Sequence, residues 1–174
     1  LGGGGDENLC GGAFLPDGSL ILAGTAFGPK FNPKGANVVV LGKDAPAPSF
    51  TMPMKEGKKG KYPRPAPPNW TYTKGAGFIV QLSANYKTIQ KAVRLPWGSG
   101  SLTDIAADTS GAVYVTGLCG EHFGRLATAK RAARSLDESD DLFVGRLKPD
   151  LSGFVWLQTL SDSAVTAPKL RVLD

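Results

Sequence analysis

The chain repeats itself, and this constrains its fold more than any other feature. Asn8 to Gly24 lies over Ser101 to Gly117 without a gap, at the 93-residue offset that sets Gly11 over Asp104. Each copy reads as a strand of small residues, a turn with glycine at the matching place (Gly18, Gly111), and a second strand ending in glycine. Further on, Gly77 to Ala84 lies over Leu142 to Pro149, and Ile89 to Leu95 over Phe154 to Leu160, both at an offset of 65. Lys169 to Asp174 resembles the opening of a third copy, similar to Asp104 to Asp108. Short strands joined by turns at regular spacing, repeated in blocks, mean units that bury their apolar faces against one another. The expected unit is a four-stranded antiparallel meander.

Turn chemistry supports that reading. Asp17-Gly18 and Ser110-Gly111 supply the residues that tolerate positive φ in tight hairpins. Ala84-Asn85 and Pro149-Asp150 are equivalent turns between third and fourth strands. The strands Leu20-Ile21-Leu22 and Val113-Tyr114-Val115 alternate imperfectly, as strands covered on both faces do. Small residues in the first strands (Gly11, Gly12, Ala13; Ala106, Ala107) suit a crowded inner position. With 23 Gly and 13 Pro in 174 residues, the composition argues against a coiled coil, a helical bundle and a wholly disordered chain. No apolar run approaches the ~18 residues that span a bilayer. The densest, Val38 to Leu41, is strand-sized.

At these residues the chain resembles the bacterial β-propeller repeat family, whose units look like D-I-A-x-D-x-x-G-x-x-Y-V-T-G … F-V-x-x-L … W-x-x-x-L. Asp104-Ile105-Ala106-Ala107-Asp108, Gly111, Tyr114-Val115-Thr116-Gly117, Phe143-Val144, Leu147 and Trp156 fill the pattern, while the earlier copy has Gly11 where the pattern has its first Asp. The resemblance implies an all-β partial propeller of four-stranded antiparallel blades, a fragment of about two to three blades. It also implies an exported protein: periplasmic, cell-surface or extracellular. On this reading residues 1–95 form a first unit interrupted by an insertion at about 25–75, residues 96–160 a second, and residues 161–174 start a third. The remaining blades come in cis or from another protein chain. Because the chain opens on Leu1 with no signal-peptide pattern, a processed product or fragment is expected.

The insertion carries the candidate binding residues. It is rich in proline and long between its strands, as functional loops are. Lys58, Lys59, Lys61, Tyr62, Trp70 and Tyr72 interleave cations with aromatics and are expected to contact a partner. Packing of these aromatics onto a neighbouring blade or subunit outweighs binding of an anionic polymer, and nucleic acid is not favoured. The net charge of +5 is no more than solubility explains. A second basic cluster, Arg125, Lys130, Arg131 and Arg134, falls in an Ala-rich segment followed by Asp137, Glu138, Asp140 and Asp141. It reads as a solvated helix with compensating charges.

Catalytic and metal chemistry find little purchase. Cys119 and His122, the single histidine, supply two metal ligands where zinc takes four, so no metal and no cofactor are expected. One histidine and scattered serines make no nucleophile–base set. Gly2 to Gly5 lacks the Lys-Ser/Thr of a phosphate loop and reads as a connector. Cys10 opens an inner strand and Cys119 ends a second strand, an arrangement that makes them a candidate disulfide. The expected role is a structural or binding module of a larger propeller. The rival is the non-catalytic portion of a propeller enzyme whose essential groups are supplied elsewhere.

Overall fold

The structure is a computed structural model that describes residues 7–27, 31, 33, 36–43, 75–120, 122, 123, 126, 129, 130, 142–160 and 169–172. Its described residues are all-β, with ten strands numbered in chain order: β1 (Glu7–Phe14), β2 (Leu20–Ala26), β3 (Val38–Val40), β4 (Ala76–Leu82), β5 (Ile89–Arg94), β6 (Gly100–Ala107), β7 (Val113–Cys119), β8 (Ala129–Lys130), β9 (Leu142–Leu147) and β10 (Phe154–Leu160). Strands β1, β2, β4 and β5 pair in succession, each antiparallel to the last. Strands β6, β7, β9 and β10 do the same. A single parallel bridge, Ala76 to Gly100, joins the two meanders into one mixed sheet.

The local reasons recur at matching positions. Gly18 and Gly111 take φ of 80° and 82°, where a side chain would be strained. Asp17 Oδ1 accepts from the Ser19 N–H and hydroxyl, and Asp108 Oδ1 accepts from both groups of Ser110 and from the Ala112 N–H. The third turn of each unit holds a non-glycine residue at positive φ, Tyr86 at 60° and Leu151 at 57°. β-Bulges also repeat. Cys10 and Thr103 are the extra residues of β1 and β6, and Gln90 and Val155 those of β5 and β10. A bulge turns the strand and increases its twist, so matching bulges give the two units the same shape.

Each meander has a front and a back. The front of the first unit carries Ile21, Ala23, Ile79 and Val93. They share one core with the back of the second unit, where Val115, Phe143, Leu147, Phe154 and Leu157 lie. The Thr25 hydroxyl donates to the Leu102 carbonyl across that seam, at 3.3 Å. The back of the first unit (Phe78, Val80, Ala92) is covered instead by Phe31 and Trp97. Phe31 stacks on Phe78 at 4.4 Å, and Phe123 packs on the corresponding Phe143 at 5.0 Å. In both units, therefore, the connection after the second strand begins by laying a phenylalanine on the back face. It then adds a strand parallel to the fourth: β3 beside β5, and β8 beside β10.

The Ala-rich segment read as a helix holds β8, paired with Leu157 and Gln158 of β10. The outer edge of β10 offers unpaired backbone groups, and extended chain satisfies them where a solvated helix would not. Residues 169–172, read as the start of a third copy, form no strand but lie beside β6, where the Leu170 N–H donates to Asp104 Oδ2 at 2.9 Å.

Candidate functional site

Two places gather polar chemistry. The first is the junction of β1 and β6, the first strands of the two meanders. A Cβ added to Gly11 would sit 2.6 Å from Asp104 Oδ1, so glycine is what lets β1 pass this close to the carboxylate. Lys169 Nζ lies 3.8 Å from Asp104 Oδ1 and donates at 3.4 Å to the carbonyls of Cys10 and Thr103. These are the two bulge residues, so both bulges aim a carbonyl at one ammonium. Burial pushes the Cys10 thiol up to about 11, with the Asp104 charge adding to the effect. A thiol so raised stays protonated and unreactive near neutrality. The junction fastens chain segments together: a carboxylate already engaged by an N–H and an ammonium is poorly placed to move protons.

The second place is the front of the second unit. Tyr114, Arg146 and Trp156 lie side by side on β7, β9 and β10. The Tyr114 and Trp156 rings are 6.5 Å apart, and the Arg146 guanidinium lies 5.9 Å from the Tyr114 ring centroid. Arg146 Nε is buried and has no hydrogen-bond partner. The corresponding row of the first unit is Ile21, Gln81 and Lys91, in which the Gln81 amide donates to the Ser19 hydroxyl at 3.1 Å. In the sequence Tyr114 and Trp156 stand out only as pattern residues. The change from Gln81 to Arg146 at one repeat position was the available signal for this row.

Lys58, Lys59, Lys61, Tyr62, Trp70 and Tyr72 lie outside the described residues, as do Arg125, Arg131 and Arg134. No disulfide joins Cys10 to Cys119, contrary to expectation. The register explains why. Cys119 pairs with Gly100, whereas Cys10 lies next to Gly11, which abuts Asp104. Four residues along β6 are on the order of 13 Å, and a disulfide requires Cα atoms within about 7 Å. Among the described residues, no three His, Cys, Asp or Glu side chains cluster as metal ligands. No helix among them is long and apolar enough to cross a membrane.

No protein-family model matches the chain. No curated protein matches it either.

Proposed function

We propose that the chain is a segment of a β-propeller, acting as a structural or binding module within a larger exported protein or assembly. The observation that carries this reading is the front-to-back seam. The front of one meander seats on the back of the next, so each added unit presents the same kind of front again. A head-to-tail contact of this kind propagates, and a fixed rotation per unit closes it into a ring. Propellers close with four to eight such blades. The inner strands β1 and β6 carry the small residues and the matching bulges that radial crowding favours. The resemblance noted above supports an exported location. In this proposal Lys58, Lys59, Lys61, Tyr62, Trp70 and Tyr72 are the residues through which the insertion meets a partner chain.

Electron microscopy of the natural full-length protein, with its intact mass, tests the reading. The expected image is a ring holding more units than the two seen here. A soluble, cooperatively folding monomer of residues 1–174 would sink the proposal.

A further inference from the structure

This inference rests on the repeat-unit reading and concerns the surface on which the next unit sits. We propose that the row Tyr114, Arg146 and Trp156 is the seat of a further four-stranded unit, led in by residues 169–172. That unit arrives by its back face.

The equivalent surface of the first unit is already an interface. Ile21, Ala23, Ile79 and Val93 are buried beneath the back of the second unit. The matching surface of the second unit remains open, with Trp156 at 41 % and Leu160 at 46 % exposure. Arg146 distinguishes the two fronts. In the first unit the residue at its position, Gln81, is satisfied by Ser19. In the second unit Ala112 stands where that serine would be, so this fold supplies no equivalent acceptor.

The structure also narrows the occupant. Residues 169–172 already lie beside β1 and β6. The Leu170 N–H is held by Asp104, and Lys169 reaches the carbonyls of both bulge residues. Aligned as the third copy, Lys169 falls on Thr103 and Leu170 on Asp104, so the segment sits level with the middle of a first strand.

Hydroxyl-radical footprinting of the natural full-length protein tests this, with each residue scaled to its own rate in the unfolded chain. Tyr86, 53 % exposed, is the open reference and buried Trp97 the closed one. Trp156 is expected to react about fivefold more slowly than Tyr86, because the core of a packed interface excludes water. Arg146→Glu should restore the rate at Trp156 and leave Tyr86 unchanged. If that variant does not fold, the wild-type rates decide alone. Trp156 reacting as fast as Tyr86 would overturn the inference. Protection that fades on dilution would overturn it too, by making a second copy the occupant. A multi-unit ring seen by microscopy with Trp156 still reactive would sink this inference and leave the propeller reading intact.

Discussion

Two glycines and two phenylalanines show how much of this fold rests on single atoms. Gly24 pairs across strands with Phe78, and Gly117 pairs with Phe143. A Cβ on Gly117 would collide with the Ser101 carbonyl and lie 2.8 Å from the Phe143 ring. The same addition to Gly24 would collide with the Asn8 carbonyl and lie 2.6 Å from the Phe78 ring. The ring fills the space that the missing side chain leaves, and the obstacle on the other side is backbone. Gly117→Ala is therefore expected to destabilise by about 3 kcal/mol, the upper part of the range for overpacking a tight core. Gly153→Ala, where the nearest atoms are 3.9 Å away, is the control expected to be close to neutral. Urea denaturation of both variants checks the contrast.

At the scale of elements, the hairpins depend on ionised aspartates. Hydrogen bonds from Ser110, and then from Ala112 and Tyr114, hold the Asp108 carboxyl below its ordinary 3.8. Asp17 and Asp150 are lowered by the same means, through Ser19 and Ser152. A carboxyl depressed in the folded state contributes stability that is present above its unfolded value and is lost as pH falls through the folded one. Asp108→Asn should be less stable than wild type at pH 7 and should lose stability less steeply below about pH 4. Equal acid slopes in denaturation series of the two proteins would count against this. These aspartates and their glycines were legible in the sequence because turn chemistry is local: Gly18 and Gly111 announce their own φ. Tyr86 and Leu151 were not, since neither side chain favours the left-handed region and only their matching context places them there. Nor were the bulges at Cys10 and Thr103, which are set by pairing across strands. The register that sets Cys119 at Gly100 and Cys10 near the level of Asp104 is likewise fixed only by pairing across strands, and it separates the two cysteines. Strand β8 was hidden in an Ala-rich segment with helical propensity, which the open edge of β10 overrides.

For the whole molecule, what matters is how two similar units become one structure. The backbone joins them at a single bridge, Ala76 to Gly100, which is too little to couple their folding. The coupling comes from the seam, where Phe143 lies fully buried in a core shared with Ile79 and Val93 of the first unit. Repeat proteins draw much of their stability from such neighbour interfaces, so damage on one side should be felt on the other. Phe143→Ala is expected to cost about 3–5 kcal/mol, through lost burial and the cavity left behind. Since β4 and β9 present their side chains to the same core, their amides should lose hydrogen-exchange protection together in this variant. Mass-spectrometric exchange on the natural protein separates the two cases, because β4 and β9 lie far apart in sequence. If β9 and β10 opened while β4 kept its protection, the seam would be a contact between independently stable units. Joint loss makes the seam itself the fold's main source of stability.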